Sequence, residues 1–271
     1  MIIFPNAKIN VGLYVTEKRN DGYHNLETIF LPIPLYDALE LTPAVSALLS
    51  IHGSEVPGAS TDNLVWRAYK LLQQEYPNRI PSLAIHLLKQ IPMGAGLGGG
   101  SADGAFMLRL LNTTFELGIS DERLEQYALQ LGSDCPIFIR NKAAFATGRG
   151  ELLTDLPLSL QGYSLQLVCP QLHISTTMAF GQMKPRPAPF DLRQLPQLPI
   201  TEWKHYVQND FERTIFPHFP ELEQIKQALY AQGAVYAAMS GTGSTVYGIF
   251  PKGEKAREAI FSKYKTYLLD L

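Results

Sequence analysis

The most informative segment of the chain is Ile91-Pro92-Met93-Gly94-Ala95-Gly96-Leu97-Gly98-Gly99-Gly100-Ser101-Ala102-Asp103-Gly104-Ala105. Five of the seven positions from 94 to 100 are glycine. Glycine lets a backbone approach an anion closely, and the N-terminus of a following helix adds N–H groups and a partial positive charge. The stretch therefore predicts a phosphate-binding loop, named here the glycine-rich loop, which comprises residues 92–102.

Three kinds of phosphate-binding loop compete for this pattern. Residues 94–99 satisfy the G-x-G-x-x-G dinucleotide fingerprint, but residues 89–92 separate them from the preceding strand. The acidic residue that should follow a second strand is Glu116, at the end of a predicted helix. A Walker A loop is excluded because the loop has no lysine. The third pattern, P-x-x-x-G-L-x-x-x-S-A of small-molecule kinases, fits. A flexible linker is disfavoured because residues 105–111 are strong helix formers.

Composition restricts the possible functions. The chain has 271 residues, 46% of them hydrophobic and 18% charged, which is ordinary for a globular protein. A net charge of −2 disfavours binding to nucleic acid or an anionic membrane surface. The two cysteines form neither a disulfide framework nor a metal site. With no signal-peptide pattern and no apolar run of membrane-span length, we expect a cytoplasmic protein.

The pattern of residues along the chain predicts two α+β domains with a cleft between them. The first half predicts strands at residues 8–15, 27–33 and 82–89, a turn at 20–22, a helix at 63–72 capped by Asp62, and a helix from Ser120 to Leu131. The second half predicts strands at 164–168 and 235–239, helices at 203–211 and 221–232, and a loop of small residues that leads into a strand within residues 240–250. Dense prolines predict a long connection at residues 184–199.

Asp134 and Lys8 are the candidate catalytic residues. Asp134 follows a predicted helix and precedes a predicted extended segment, so taken alone it is an ordinary turn residue. Beside a phosphate-binding loop, a carboxylate could orient and deprotonate an attacking hydroxyl. Lys8 could stabilise the developing charge and keep that aspartate ionised. Alternatively, Lys8 is a surface lysine whose aliphatic stem covers apolar groups. The sequence does not distinguish this surface position from the catalytic role.

Tyr23 and His24 follow the predicted turn at residues 20–22. On such a loop, Tyr23 could stack on a nucleobase and His24 could bond to its polar edge. An aromatic anchor with a solvated histidine explains the pattern equally well. His24 is a poor metal ligand because no second histidine or cysteine lies at ligand spacing, and no metal site is predicted.

Three motifs together resemble the GHMP kinase family. They are the glycine-rich loop, the opening segment Pro5-Asn6-Ala7-Lys8-Ile9-Asn10, and the closing segment Ser240-Gly241-Thr242-Gly243-Ser244. The resemblance implies an α+β, two-domain GHMP kinase fold. Its N-terminal domain of mixed sheet and helices would span residues 1–158, and a ferredoxin-like C-terminal domain would span 159–271, with the active site in the cleft.

Within that family, the segments at residues 19–24, 98–101 and 132–138 resemble the kinases that act on a cytidylylated methylerythritol. The resemblance implies ATP-dependent phosphorylation of its 2-hydroxyl in the non-mevalonate pathway to isoprenoid precursors. It implies Asp134 as the base with Lys8 as its partner, Mg2+ delivered with ATP, and a monomer or homodimer. Implied substrate contacts are Asn10, Tyr23, His24 and Phe180, and implied contacts on the adenine side are Asn63 and Leu64.

One departure and three rival functions remain. Ser101-Ala102 stands where relatives often have two serines, and we expect the adjacent Asp103 to point away from the phosphates. The rivals are a GHMP kinase for another alcohol such as homoserine or mevalonate, a non-catalytic binding protein, and a nicotinamide-dependent oxidoreductase. A stacking ring at Tyr23 argues against the first, and the pair Asp134 and Lys8 argues against the second.

Overall fold

The structure is a computed structural model that describes residues 1–54 and 58–271. Its residues divide into two compact units. The first unit consists of Met1–Ala7, Leu35–Met93 and Gly98–Lys142, and the second of Lys8–Pro34, Gly94–Leu97 and Ala143–Leu271. The units thus follow no single cut in the chain, and the division into 1–158 and 159–271 stays a prediction. The glycine-rich loop itself contributes to both units.

The secondary structure is mixed throughout. The strands are β1 (Ile2–Ile3), β2 (Asn6–Lys18), β3 (His24–Tyr36), β4 (Ala38–Pro43), β5 (Leu48–Gly53), β6 (Leu83–Lys89), β7 (Ala144–Thr147), β8 (Leu152–Asp155), β9 (Tyr163–Cys169), β10 (Tyr236–Met239), β11 (Val246–Pro251) and β12 (Lys265–Asp270). The helices are α1 (Leu64–Glu75), α2 (Gly99–Thr114), α3 (Asp121–Leu131), α4 (Pro136–Arg140), α5 (Thr176–Gly181), α6 (Trp203–Tyr206), α7 (Glu212–Ile215) and α8 (Pro220–Ala231). Short 3-10 helices cover Ser60–Asp62, Leu192–Gln197, Ile200–Glu202 and Glu258–Phe261.

The first unit packs helices on a four-stranded sheet in the order β1-β4-β6-β5. The β5–β6 pair is parallel and the other pairs are antiparallel. Helix α2 lies among α1, α3 and α4, and its small residues let these helices approach closely. A Cβ added to Gly104 would lie 2.9 Å from Leu64 Cβ. Close packing around α2 therefore holds the N-terminus of that helix, where the glycine-rich loop ends.

The second unit contains two four-stranded sheets. One has the order β2-β3-β7-β8 and the other β10-β11-β9-β12, with antiparallel pairing throughout the latter. Helix α8 packs on β10 and β11. The order of the second sheet, with α8 between β9 and β10 in the chain, is the ferredoxin-like arrangement that the family resemblance implies. The 3-10 helix Glu258–Phe261 lies between β11 and β12, where that arrangement has its second helix.

Most predicted elements are confirmed, and three are corrected. Asn63, not Asp62, caps α1: Asn63 Oδ1 accepts the Val65 N–H at 2.9 Å, while Asp62 ends a 3-10 helix. The segment after Asp134 is helix α4 rather than an extended segment, because Pro136 at its first turn suits a helix start. The helix predicted at 203–211 is interrupted into α6 and α7, because Asn209 and Asp210 bond to distant backbone groups.

The proline-rich connection is anchored along its length. The Arg186 N–H donates to Val15 O at 3.1 Å, and the Arg186 guanidinium lies 3.0 Å from Asp210 Oδ1. Farther along, the residues form the 3-10 helix Leu192–Gln197, which tolerates Pro196. Among the residues that the structure describes, no helix has the length and apolar character needed to cross a membrane.

Candidate active site

The first part of the glycine-rich loop, Gly94–Leu97, belongs to the second unit and is held there by its carbonyl groups. Ser240 Oγ donates to Gly96 O at 2.7 Å and accepts the Asn10 N–H at 3.2 Å. The Lys8 N–H donates to Leu97 O at 2.9 Å. Gly96 has a φ of +77°, and a Cβ there would lie 2.0 Å from Ser240 O, so only glycine fits. The motif at residues 240–244 thus supports the loop.

The last part of the loop forms the N-terminus of α2 in the first unit. Gly98 precedes the helix in the left-handed conformation, with a φ of +71°, and no side chain caps this end of α2. A Cβ added to Gly100 would meet no atom within 4 Å, so the first turn is open beside that residue. An open helix N-terminus with free space beside a glycine is suited to bind phosphate oxygens.

Lys8 is buried, so the interpretation as a surface lysine is wrong. Only 3% of the residue is exposed, and its Nζ donates to Asn10 Oδ1 at 2.7 Å and lies 4.9 Å from the centre of the Phe30 ring. Asn10 Nδ2 in turn donates to Thr28 Oγ1 at 2.9 Å, and Thr28 donates to Gly12 O at 2.6 Å. A buried ammonium requires polar partners, and this chain of hydrogen bonds holds it in one position.

His24 and Phe180, predicted as contacts to the same base, are in direct contact. Their ring centres lie 4.9 Å apart with 22° between the planes. Phe180 also meets the Phe211 ring edge-on at 4.9 Å, and the Ser175 hydroxyl caps α5, the helix that carries Phe180. Burial lowers the pKa of His24, and the nearby Lys18 charge lowers it further, so the neutral imidazole is favoured.

Tyr23 is 56% exposed, and the Arg149 guanidinium lies 5.1 Å from the centre of its ring. The Arg149 N–H donates to Glu151 Oε2 at 2.5 Å, which orders the turn between β7 and β8. The prediction from sequence missed Arg149. The available signal was an arginine between two glycines, Gly148 and Gly150, in a short turn between strands.

Asp134 lies in the first unit, in the turn between α3 and α4. Its neighbour Cys135 is fully buried, and the Cys135 thiol is hydrogen-bonded to the Ser101 hydroxyl on the first turn of α2. This contact joins the turn that contains Asp134 to the first turn of α2. Burial raises the pKa of Cys135 to about 12, so that thiol is not a nucleophile.

Asn63 and Leu64, predicted on the adenine side, begin helix α1 in the first unit. The Asn63 side chain caps the helix, and Leu64 packs against Gly104 of α2. Both residues therefore lie beside the helix whose N-terminus ends the glycine-rich loop. Among residues 1–54 and 58–271, no three or more His, Cys, Asp and Glu side chains are grouped to hold a metal ion.

A glycine-rich loop with an open helix end, and a carboxylate in the turn after α3, are the features expected of an ATP-dependent kinase that acts on a small molecule. Two family models match the chain, the GHMP kinases N terminal domain at residues 63–142 and the GHMP kinases C terminal domain at residues 196–266. The chain belongs to the GHMP kinase family.

Relatives and solved structures agree with this assignment. The 4-diphosphocytidyl-2-C-methyl-D-erythritol kinase of Bacteroides fragilis is 52% identical over 265 residues, which cover 96% of each chain. A crystal structure of 4-(cytidine 5'-diphospho)-2C-methyl-D-erythritol kinase has 31% identity and a TM-score of 0.81, over 99% of this chain and 98% of that one. The crystal structure of the Methanococcus jannaschii mevalonate kinase has a TM-score of 0.72 at 13% identity, over 100% of this chain and 98% of that one. At this identity the similarity supports a shared fold and nothing further.

Proposed function

We propose that the chain transfers the γ-phosphoryl group of ATP to the 2-hydroxyl of 4-diphosphocytidyl-2-C-methyl-D-erythritol, in the non-mevalonate pathway to isoprenoid precursors. The observation that carries the proposal is the stacked pair of His24 and Phe180, with Tyr23 next to His24 in the chain. A kinase for a small alcohol without a base has no use for such an aromatic surface. The names of the relatives at 52% and 31% identity support the same substrate.

In this proposal the glycine-rich loop binds the ATP phosphates. The backbone at residues 94–101 and the N-terminus of α2 would supply N–H donors to the phosphate oxygens. Mg2+ binds mainly to phosphate oxygens and water in such enzymes, so it would arrive with the nucleotide and need few protein ligands. Asn63 and Leu64, at the start of α1, would contact the adenine side.

Asp134 would act as the general base. It would take the proton of the 2-hydroxyl as that oxygen forms a bond to the γ-phosphorus, while the bond from that phosphorus to the oxygen of the leaving ADP breaks. Lys8, held by Asn10, would stabilise the negative charge on the attacking oxygen. Both groups need a defined position more than unusual reactivity, because phosphoryl transfer depends on positioning and electrostatic stabilisation.

Recognition of the cytidylyl group would fall to residues of the second unit. Tyr23 and Phe180 would provide the two stacking faces for the cytosine, and His24 would bond to its polar edge. Stacking of one base on an aromatic ring contributes about 1–3 kcal/mol. Asn10 accepts one hydrogen bond from Lys8 and donates one to Thr28, so its amide retains one acceptor site and one N–H donor with which it would contact the substrate. The two-domain division, the cytoplasmic location and the monomeric or homodimeric state stay predictions.

The test is ATP consumption by the purified chain with the cytidylyl compound, and with mevalonate and homoserine as controls. We expect ADP release from ATP with the cytidylyl compound, and none with mevalonate or homoserine. Turnover with mevalonate or homoserine instead would overturn the substrate and leave the kinase chemistry. No turnover with any of the three, together with retained nucleotide binding, would favour a binding protein. Tight NADH binding without ATP binding would favour the oxidoreductase.

A further inference from the structure

A buried cluster of three ionisable residues lies at the ends of the glycine-rich loop. Lys89 is the last residue of β6 and is 2% exposed, and its Nζ donates to Asp37 Oδ2 and, at 2.7 Å, to Asp103 Oδ2. Asp37 is 1% and Asp103 3% exposed. Together they form a buried triad of one amino and two carboxyl groups inside the first unit, and the proposed chemistry uses none of its members.

Asp37 holds the segment that leads into the loop. Its Oδ1 accepts the backbone N–H of Gln90 at 2.5 Å and of Ile91 at 2.9 Å, the two residues directly before the loop. One carboxylate therefore binds three groups, two from the loop entry and one from the Lys89 ammonium. Such charge-assisted hydrogen bonds are stronger than neutral ones and fix the direction of the backbone at Pro92.

Asp103 and Gly99 hold the helix that ends the loop. Asp103 is the fifth residue of α2, and its contact with Lys89 ties the first turns of that helix to the end of β6. A Cβ added to Gly99 would lie 2.9 Å from Ile91 Cγ2 and 3.3 Å from Lys89 Nζ. The first residue of α2 thus packs directly on the loop entry. The Asp103 side chain is buried inside the unit, and among residues 1–54 and 58–271 its Oδ1 has no hydrogen-bond partner.

We infer that Lys89, held between Asp37 and Asp103, is a positioning residue that sets the distance and direction between the two ends of the glycine-rich loop for ATP binding. The inference rests on the proposed function. A buried triad with an unpartnered carboxylate oxygen is a poor source of stability compared with apolar side chains of the same volume. The triad does connect three elements directly, namely β6, the segment that leads into the loop, and α2. It therefore fixes their relative positions. N–H donors fixed before binding require less ordering when the phosphates arrive.

The test measures Mg2+ and AMP-PNP binding by calorimetry, and ATP turnover with the cytidylyl compound, for three variants. Asp103→Leu removes the bond to Lys89 at similar volume, and Asp103→Asn retains an acceptor for it. Tyr69→Phe is the matched control, because it removes a buried hydroxyl of the same unit that bonds to Pro81 O at 3.0 Å, away from the loop. Melting temperatures show how far each variant is destabilised.

We expect Asp103→Leu to weaken AMP-PNP binding and raise the KM for ATP by about tenfold, since misplacement of binding groups by 1 Å can cost up to about 100-fold. The KM for the cytidylyl compound should stay within twofold, and Asp103→Asn should restore most of the nucleotide affinity. Tyr69→Phe should lower the melting temperature without changing either KM. If Asp103→Leu does not fold, Gly99→Ala replaces it, with the same weakening expected.

Other outcomes would distinguish a failure of the positioning role of Lys89 from a failure of the proposed function. Normal AMP-PNP binding by folded Asp103→Leu, or by Gly99→Ala, would overturn the positioning role and leave the proposed function standing. An equal rise in both KM values, shared by Tyr69→Phe, would mean that general destabilisation is the cause and would also overturn it. A wild-type chain that binds no AMP-PNP would contradict the proposed function itself, and the inference with it.

Discussion

Lys8 and Asn10 lie two residues apart on strand β2, and Lys8 Nζ donates to Asn10 Oδ1 at 2.7 Å. Side chains two positions apart lie on the same face of a strand, so the alternation of β2 brings the amine and the amide together. Asn10 is also joined to Thr28 on the neighbouring strand β3. The position of the ammonium is therefore determined by two adjacent strands.

Replacing Asn10 by leucine should lower kcat while sparing nucleotide binding. The Lys8 ammonium would lose the hydrogen bond to Asn10 Oδ1, and we expect kcat to fall by about 10- to 100-fold, at or below the usual range for a positioned catalytic group. The KM for ATP should change by less than about threefold, because the glycine-rich loop is untouched. Thr28→Val is the comparison, since it removes the support from β3 but keeps the bond between Lys8 and Asn10, and we expect it to lower kcat less. Equal losses in both variants would mean that the whole strand pair, rather than the Lys8 contact, is responsible.

Asp134→Asn should reduce turnover more than any change around it. Loss of a general base typically costs about 10²- to 10⁴-fold in rate, and the amide keeps the volume of the carboxylate. AMP-PNP binding, measured by calorimetry, should remain within about twofold if the role is chemical. Cys135→Ala removes the neighbouring thiol and its bond to Ser101, and we expect it to lower stability with little effect on kcat. Equal loss of turnover and nucleotide affinity in Asp134→Asn would indicate a structural role.

Phe180→Leu should weaken binding of the cytidylyl substrate and change the titration of His24. Loss of one stacked ring should raise the substrate KM by about 5- to 150-fold, corresponding to about 1–3 kcal/mol. The same change exposes His24, whose pKa is lowered chiefly by burial, so its pKa should rise toward the usual value near 6.5. Kinetics and an NMR titration of the His24 ring protons measure the two effects.

The control for that variant is Phe190→Leu, which disrupts another ring pair of the second unit, Phe190 with Tyr206 at 5.5 Å. It should leave both the substrate KM and the His24 titration unchanged. A wild-type His24 that titrates above 6.5 would contradict the burial imposed by Phe180. A rise in KM without a shift in the His24 titration would show that the two rings act on the substrate independently.

Local signals in the sequence predicted the elements that depend on neighbouring residues. The turn at residues 20–22, the Ser120 cap of α3 and the strand before the loop all follow from side-chain types within a few positions. The glycine-rich loop was predicted for the same reason, because its glycines and the helix after them are contiguous. The family resemblance implied that His24 and Phe180 contact the same base, but it did not predict that the two rings stack directly on each other.

Features that depend on distant partners could not be predicted from the sequence. The helix at 203–211 is interrupted because Asn209 bonds to Met239 O and Gly241 O, 30 and 32 residues away. The burial of Lys89 depends on Asp37, which is 52 residues away in the chain. Nothing in the residues around Lys89 distinguishes it from a lysine at the exposed end of a strand. The position of Arg149 over Tyr23 is likewise a tertiary contact.

Two glycines of the loop should respond in opposite ways to alanine. Gly96→Ala places a Cβ 2.0 Å from Ser240 O at a positive φ, so we expect the free energy of unfolding to fall by more than about 2 kcal/mol. Gly100→Ala meets no atom and lies in a helix, so stability should rise by up to about 1 kcal/mol. Urea unfolding measures both changes.

The functional readout of the same pair is the KM for ATP. Gly100 borders open space at the helix end, so we expect its alanine variant to raise that KM, because the methyl group occupies volume that phosphate oxygens would use. The Gly100→Ala variant should therefore be more stable than the wild-type chain but bind ATP more weakly. An unchanged KM for ATP in that variant would show that the phosphates do not approach the first turn of α2 at this residue.

The buried Asp103 should make stability depend on pH in an unusual direction. Burial raises the pKa of Asp103 to about 8 despite the opposing charge of Lys89, with Asp37 as a further cause, and the unfolded chain has the ordinary value of 3.8. Between these values the folded state holds one proton more than the unfolded state. The free energy of unfolding therefore falls as pH rises from about 4 to about 8, by at most about 1.4 kcal/mol per pH unit from this group.

Asp103→Asn removes this titration, so we expect its unfolding free energy to vary less steeply between pH 5 and pH 8 than that of the wild-type chain. Urea unfolding in buffers at each pH unit gives the two slopes. Asp191→Asn is the control, because the hydrogen bond from Arg193 lowers the pKa of Asp191 and places its titration below pH 5. That variant should parallel the wild type across the range. Identical slopes for the wild type and Asp103→Asn would mean that Lys89 keeps Asp103 ionised, and that both carboxylates of the triad are charged at neutral pH.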